Sequence, residues 1–484
     1  MSKEKTGIQR AILLLLSLSA VLFFKYLPAP TGLSSSGMQV LGIFLGVLML
    51  WLFESIDWPS FLALAALAFV PGIKASDVFA QSFGNQIFAF LLFTFLCTYE
   101  LSKTSFIRRV ALSFVDNPIA RQSPWSFTLL FFISILVLGS FISPTVLFII
   151  YLPILEGIYE IVGLKKGDRA ASMLMMGLVF LCGISSGMTP IAHVFPLISM
   201  GIFESMTGQV IDYGSYMLMA IPTGLLASAG MVLIFRFVLK PDMRAFINLN
   251  VSAMRGKQAA VTRKEKLVLT VFIFVILLWV MPSLTESFLP EISSYISSFG
   301  IAMPPLLGVI ALSILSEGGK PLLNFKEAMS KGIPWGSLII CGAALALGAA
   351  MTNEEVGLKS FLAESVGPFA MTLTPLVLLI LFLAWTSLQT NFSSNIVTAT
   401  VVTTVAVPIL MVLPTLSAGA VVALIGMLSA YAFATPPAMP SIAIAGGSGW
   451  TTARQLLLYG MLLMVVSVFV SVVVGYPLGA ALIG

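Results

Sequence analysis

Apolar runs of about 17–25 residues recur along the whole length of this 484-residue chain. As a helix, each run is long enough to span the roughly 30 Å of hydrocarbon in a lipid bilayer. The charged residues make up only 9% of the sequence and the hydrophobic residues 58%. A soluble protein of this length needs far more charge to cover its surface. The pattern therefore predicts an all-α, polytopic protein that is embedded in the cell membrane.

About eleven membrane-spanning helices are expected from these runs. The first run follows a short charged N-terminus and is similar to a signal peptide, but no clear small-residue cleavage site follows it, so we interpret it as the first span. The expected spans are residues 11–28, 37–53, 58–72, 85–102, 168–203, 214–239, 266–283, 299–316, 335–351, 413–449 and 455–480.

Two further apolar segments, at about 122–162 and 368–412, are interrupted in the middle by polar, helix-breaking residues. The interruptions read Gly139-Ser140-Phe141-Ile142-Ser143-Pro144-Thr145 and Thr390-Asn391-Phe392-Ser393-Ser394-Asn395. We predict that both segments are re-entrant hairpins whose tips end inside the membrane. Non-helical backbone at that depth has to be buried in protein or line a watery cavity.

The distribution of basic residues predicts the orientation of the chain. If the N-terminus is cytoplasmic, only Lys25, Lys74 and Lys359 of the 25 basic residues fall outside, as the positive-inside rule expects. The C-terminus is then extracellular, and residues 241–265 form a basic cytoplasmic loop. The net charge of +5 is explained by topology and lipid contact, so no nucleic-acid partner is expected.

The two halves of the chain, residues 1–240 and 266–484, have the same order of features. In each half a run of helices is followed by a short amphipathic stretch (103–115 and 354–366), an interrupted hairpin, and a helix broken by Gly and Pro (about 168–203 and 413–449). Paired, interrupted segments in corresponding positions are typical of inverted-repeat transporters with a binding site at the membrane midplane.

The polar residues of these interruptions favour an anionic substrate. Acidic residues cluster at the ends of the predicted spans and not at their centres, which counts against a proton pump or a carboxylate-based sodium antiporter. Helix N-termini, hydroxyl groups and an amide suit an anion instead. Small polar residues also pack helices together, but their matched positions favour a site. The candidate substrate-binding residues are Ser143, Pro144, Thr145, Thr189, Pro190, His193, Ser394, Asn395, Thr398, Thr435, Pro436 and Pro437.

No cofactor or metal site is expected from the histidines and cysteines. His193 is the only histidine, which excludes a multi-histidine metal site within the chain. Cys97, Cys182 and Cys341 lie in apolar segments without metal-ligand spacing, so we interpret them as small core residues.

Three motifs resemble those of a known family, the divalent anion/sodium symporters, which include sodium-coupled dicarboxylate and citrate transporters and related carboxylate exchangers. The motifs are Phe141-Ile142-Ser143-Pro144-Thr145 with Pro153, Ser394-Asn395-Ile396-Val397-Thr398, and Ala434-Thr435-Pro436-Pro437 followed by Gly446, Gly447 and Gly449. The resemblance implies a homodimer with a fixed scaffold, in which hairpins and broken helices carry the substrate like an elevator.

The sequence departs from this family mainly at the first sodium site. Pro144 stands where the family has the Asn of a Ser-Asn-Thr tip, Leu197 where it has the Asn of Pro-Asn, and His193 where small residues surround the cation. In the second half Ala438 replaces an Asn, and Thr404 stands where a proline is expected, with Pro408 displaced. Of the family's sodium sites, this sequence keeps at most a residual one near Asn395.

These departures favour exchange over sodium symport. Helix ends and a protonated His193 would replace sodium as fixed positive features, and an empty carrier with fixed charge is costly to move through a membrane. We therefore expect an exchanger of C4–C6 di- and tricarboxylates. A sodium-coupled dicarboxylate or sulfate symporter is the alternative. Two opposed hairpins argue against a channel, and no arrangement of catalytic residues indicates an enzyme.

Overall fold

A computed structural model describes residues 7–191, 193–247, 261–285, 288–358, 361, 364–365, 368, 372–413, 415–436 and 438–483. The described chain is almost entirely helical, as the apolar runs predict. The α-helices are α1 (Gly7–Phe23), α2 (Ser35–Phe53), α3 (Trp58–Leu67), α4 (Ala75–Ser82), α5 (Gln86–Ser102), α6 (Phe106–Val115), α7 (Pro124–Gly139), α8 (Pro144–Val162), α9 (Arg169–Met188), α10 (Val194–Thr207), α11 (Tyr213–Ile234), α12 (Arg263–Thr285), α13 (Pro290–Ser298), α14 (Met303–Ile314), α15 (Phe325–Lys331), α16 (Trp335–Thr352), α17 (Pro375–Phe392), α18 (Asn395–Met411), α19 (Ala418–Ser429), α20 (Pro440–Ser448), α21 (Ala453–Val470) and α22 (Tyr476–Ile483).

Short irregular elements complete the described fold. Phe24–Tyr26 and Arg244–Phe246 are 3₁₀ turns, and π-helical turns at Phe235–Leu239 and Ser471–Gly475 extend α11 and α21. A two-stranded ribbon, β1 (Ser316–Glu317) and β2 (Lys320–Pro321), lies between α14 and α15 and was not expected from the sequence. Its turn is possible because Gly318 and Gly319 both have positive φ, at 60° and 78°.

Nine helical stretches of the described chain are long and apolar enough to cross a membrane. This number differs from the eleven expected spans because it includes one arm of each hairpin, α8 and α17, and leaves out short helices such as α3 and α14. The protein is therefore a polytopic α-helical membrane protein. Its three cysteines are free and buried, in agreement with their interpretation as core residues.

The helices form two groups by their packing. In the first group α1, α3 and α16 contact α2, and α5 packs against α12 and α14. In the second group α9 packs against α7 and α8, α17 against α18 and α19, and α11 against α21 and α22. Helix α10 connects the two groups, because it packs against α16 of the first and against α18 and α19 of the second.

The interrupted segments are helix pairs separated by short non-helical breaks. Helices α7 and α8 form the first hairpin, with its tip at residues 140–143, and α17 and α18 form the second, with its tip at residues 393–394. Helices α9 and α10 are the two parts of the first broken helix, and α19 and α20 those of the second. Every residue of α19 after Ala418 is buried, so the second group is assembled around these elements. The amphipathic stretch 103–115 contains α6, whereas residues 359–360, 362–363 and 366 of the stretch 354–366 lie outside the described residues.

Candidate functional site

A cavity of about 550 Å³ lies where the two hairpin tips and the two helix breaks meet. This volume is within the range of roughly 300–1,000 Å³ that is usual for small-molecule sites. One wall belongs to the hairpins and broken helices and the other to α5, α15 and the start of α16. The lining residues with polar side chains are Thr98, Tyr99, Ser102, Ser143, Thr145, His193, Lys331, Ser337, Ser394 and Asn395.

The first tip is held against the first broken helix by backbone contact and one hydroxyl group. Gly139 ends α7 so close to Ser185 that a Cβ atom at residue 139 would collide with the Ser185 hydroxyl. Thr189 follows α9 in extended conformation, and its hydroxyl donates to the carbonyl oxygen of Ser140. The Thr189 side chain is therefore committed to joining the tip to the break.

His193 immediately precedes α10 and lies at the edge of the cavity. Its ring stacks on Phe195, with centroids 3.9 Å apart. Its Nδ1 atom is buried and has no hydrogen-bond partner. A buried polar atom without a partner is costly, so this nitrogen is a candidate contact for a bound molecule.

The second tip is joined to the second break more extensively, through Asn391. The side-chain oxygen of Asn391 accepts from the backbone N–H groups of Phe433 (2.7 Å) and Ala434 (2.9 Å). Its side-chain nitrogen donates to the carbonyl oxygens of Ser387 (2.8 Å) and Tyr431 (3.1 Å). This buried amide thus uses both of its donors and accepts two hydrogen bonds, and it satisfies backbone groups that the helix break leaves without partners.

Asn395, at the start of α18, has a different role. Its side-chain oxygen accepts from the Thr390 hydroxyl at 3.0 Å, and that hydroxyl also lies 2.6 Å from the carbonyl oxygen of Ser429. Its side-chain nitrogen is buried, without a partner, and Asn395 lines the cavity. Asn395 therefore has a free amide donor beside the cavity.

Four helix N-termini reach this one cavity. Helices α8, α10, α18 and α20 begin at Pro144, Val194, Asn395 and Pro440, and residues at or beside each start line the cavity. The residues that precede the four helices are Ser143, His193, Ser394 and Met439, and none of their side chains caps its helix. In contrast, α7, α17 and α19 are capped by Ser or Thr side chains. First-turn N–H groups and the positive ends of four helix dipoles are thus directed to one place, which is suited to an anion.

The charges on the cavity wall agree with this. Among the described residues that line the cavity there is no aspartate or glutamate, and Lys331 is the one with a fixed positive charge. A site with this lining has no negative side chain to repel an anion. The positive charge of Lys331 lies on the wall opposite the tips.

Six of the twelve candidate residues line the cavity: Ser143, Pro144, Thr145, His193, Ser394 and Asn395. Five others do not. Thr189, Thr398 and Thr435 donate hydrogen bonds to the backbone oxygens of Ser140, Ser394 and Asn391, and Pro190 and Pro436 are not among the lining residues. The twelfth, Pro437, lies outside the described residues.

The residues on the opposite wall of the cavity are not predicted by any motif in the sequence. Thr98, Tyr99 and Ser102 lie on α5 and Ser337 on α16, in runs with no break or motif to distinguish them from other spans. For Lys331 the positive-inside rule predicts only a position on the inner side of the membrane. The sequence feature that could have identified Lys331 is its position directly before Gly332-Ile333-Pro334, at the entry to a span.

The comparisons with known proteins agree with this architecture. A family model described as "Sodium:sulfate symporter transmembrane region" matches residues 8–484. A protein of Staphylococcus saprophyticus named "Sodium-dependent dicarboxylate transporter SdcS" is 28% identical, over 94% of this chain and 88% of its own length. A protein of the same name from Staphylococcus aureus is 25% identical, over 97% of this chain and 90% of its own length.

A solved structure has the same fold. The Alcanivorax borkumensis YdaH transporter aligns with 91% of this chain and 98% of its own, with a TM-score of 0.57 and 15% identity. At that identity the likeness concerns the fold alone. The family model, in contrast, covers nearly the whole chain, and its transporters are not enzymes. The chain therefore belongs to the sodium:sulfate symporter family of transporters, the divalent anion/sodium symporters that its hairpin motifs resemble.

Proposed function

We propose that this protein is a secondary transporter that exchanges C4–C6 di- and tricarboxylates of the succinate, malate, α-ketoglutarate and citrate class. The observation that carries the proposal is the convergence of four uncapped helix N-termini on one cavity without acidic lining residues. Each helix end is equivalent to roughly half a positive charge. Four such ends, with about two positive charges in total, balance a substrate with two negative charges. The relatives named as dicarboxylate transporters support the substrate class.

The first tip supports exchange without sodium. A sodium ion needs several oxygen ligands, but Pro144 has no side-chain oxygen and the Ser140 carbonyl oxygen already accepts the Thr189 hydroxyl. His193 lies at the same place with a buried Nδ1 that lacks a partner. The positive helix N-termini at this tip make the empty carrier costly to move across the bilayer, so the loaded form moves preferentially.

The two helix groups support an elevator mechanism. The second group together with α10 contains both hairpins and both broken helices, and this unit contacts the first group largely through the packing of α10 against α16. In this mechanism the first group is the scaffold of a homodimer and the second group moves with the substrate. With a cytoplasmic N-terminus, Ser102 and Lys331 are on the cytoplasmic side, and the cavity they line is the inward-open site.

Sodium-coupled symport of a dicarboxylate or sulfate is the second candidate function. It is supported by the names of the relatives and of the family model. It is also supported by the side-chain oxygen of Asn395 and the carbonyl oxygen of Ser429, which both lie within hydrogen-bonding distance of the Thr390 hydroxyl. Oxygen ligands are those that hard cations prefer.

Transport by purified protein in liposomes distinguishes the two functions. We expect labelled succinate to enter vesicles that contain unlabelled succinate, malate, α-ketoglutarate or citrate, at equal rates in sodium and choline buffers. Vesicles without internal substrate should accumulate little. Uptake into empty vesicles that requires an inward sodium gradient would contradict exchange and support symport, and uptake of sulfate alone would contradict the carboxylate class.

A further inference from the structure

Five charged residues at the end of α5, at the start of α12 and in α15 are joined by ion pairs, and we call them the mouth cluster: Glu100, Lys103, Lys264, Glu327 and Lys331. Lys103 contacts both glutamates, at 3.0 Å from Glu100 Oε1 and 3.2 Å from Glu327 Oε2. Lys264 lies 3.3 Å from Glu100 Oε2. The Tyr99 hydroxyl donates to Glu327 Oε1 at 3.0 Å. With three lysines and two glutamates, the cluster has one excess positive charge.

Lys331 is the least committed member of this cluster. Its Nζ lies 3.6 Å from Glu327 Oε1, which is the longest of these contacts, and its side chain is 69% exposed. Glu327 is already engaged, since hydrogen bonds from Lys103 and Tyr99 hold the pKa of its carboxyl below the usual value. Of the five members of the mouth cluster, Lys331 is the one that lines the cavity. An exposed ion pair of this kind is weak, so Lys331 can exchange Glu327 for another anion.

We propose that Lys331 is a docking residue, which attracts the dianionic substrate into the open cavity before the substrate reaches the hairpin tips. This inference rests on the proposed function, because it assigns a role in the same site. Lys331 is the last residue of α15, on the wall opposite the tips. Helix α15 is not part of either hairpin or of either broken helix. It therefore acts on substrate entry from the side to which this cavity opens.

A charge at the edge of a site acts mainly on the rate of association and on its dependence on salt. At an ionic strength of about 0.01 M the screening length is roughly 30 Å, whereas at about 1 M it is only about 3 Å. A contribution from Lys331 should therefore be large at low salt and vanish at high salt. A purely structural role would change binding equally under both conditions.

The test measures equilibrium binding of labelled succinate to the purified full-length protein at about 0.01 M and about 0.5 M potassium chloride. We expect Lys331→Gln to weaken binding about 3- to 10-fold at low salt and less than about 2-fold at high salt, and Lys331→Glu to weaken it further. Glu327→Gln should strengthen binding at low salt, because it releases Lys331. The matched control is Lys326→Gln, on the same helix but not on the cavity wall, which should weaken binding at low salt much less than Lys331→Gln does.

Each outcome decides one of the two proposals. If the parent binds succinate and Lys331→Gln has the same affinity and salt dependence, the docking role is wrong and the proposed function stands. If the parent binds sulfate but neither succinate nor citrate, the carboxylate substrate class is wrong, and the same variants then decide the docking role with sulfate as the probe. A parent that binds none of these anions overturns both.

Discussion

At the scale of single residues, the two asparagines of the second hairpin have opposite states. Asn391 uses its whole amide within the protein, whereas Asn395 has a buried amide nitrogen without a partner beside the cavity. Thr145, on the first tip, lines the same cavity. A side chain that keeps a free donor next to a cavity is suited to binding a ligand, and one whose donors are all used is suited to holding the fold.

We therefore predict that Asn395→Ala and Thr145→Ala each weaken succinate binding. A lost hydrogen bond to a charged group costs about 1.5–3 kcal/mol, which is roughly 10- to 150-fold in affinity. The measurement is the concentration dependence of exchange in proteoliposomes. Asn117→Ala is the control, since Asn117 accepts from the backbone of Ile119 in an exposed turn. Unchanged apparent affinity in both tip variants would show that the tips do not bind the substrate.

At the scale of elements, the second helix break depends on the hairpin beside it. Residues 431–434 are buried but not helical, and two of their N–H groups are satisfied by Asn391 alone among the side chains described here. Thr435 adds a hydrogen bond to the Asn391 carbonyl oxygen. The break and the tip thus stabilise each other and should move as one unit.

Asn391→Ala should accordingly destabilise the protein strongly. It leaves the buried N–H groups of Phe433 and Ala434 without these partners, and each unsatisfied group costs about 1–3 kcal/mol. The midpoint of thermal unfolding of the purified protein in detergent reports this loss. Asn324→Ala, which removes one capping hydrogen bond at the exposed start of α15, should cost only about 1 kcal/mol. Equal shifts of the midpoint in the two variants would show that Asn391 does not stabilise the second break in this way.

At the scale of the whole molecule, the positive-inside rule and the cavity make one joint prediction. The free cysteines Cys97, Cys182 and Cys341 are buried, so the parent should react little with a membrane-impermeant maleimide. In intact cells we expect this reagent to label Lys74→Cys, at an exposed site on the predicted outer side. It should label Lys320→Cys, in the exposed ribbon near the cavity mouth, only after the membrane is opened. Labelling of Lys320→Cys in intact cells would reverse the orientation and make the cavity outward-open.

The sequence alone determined the class of this protein, the places where its helices break and the chemistry of the hairpin tips. These properties are local: a bilayer requires long apolar helices, and the apolar pattern is broken by polar residues before Pro144 at the first tip and by the Ser393-Ser394-Asn395 run at the second. Six candidate residues that line the cavity came from these local signals.

Only the tertiary structure decided which polar side chains face the cavity and which form hydrogen bonds within the protein. Thr189, Thr435 and Asn391 have the same kind of polar groups as Thr145 and Asn395, but they face backbone oxygens and N–H groups exposed by a neighbouring break. The tertiary structure also placed Lys331 in the site. The wall that faces the tips is formed by regular helices, and their positions in the sequence do not show that they lie close to the tips in space.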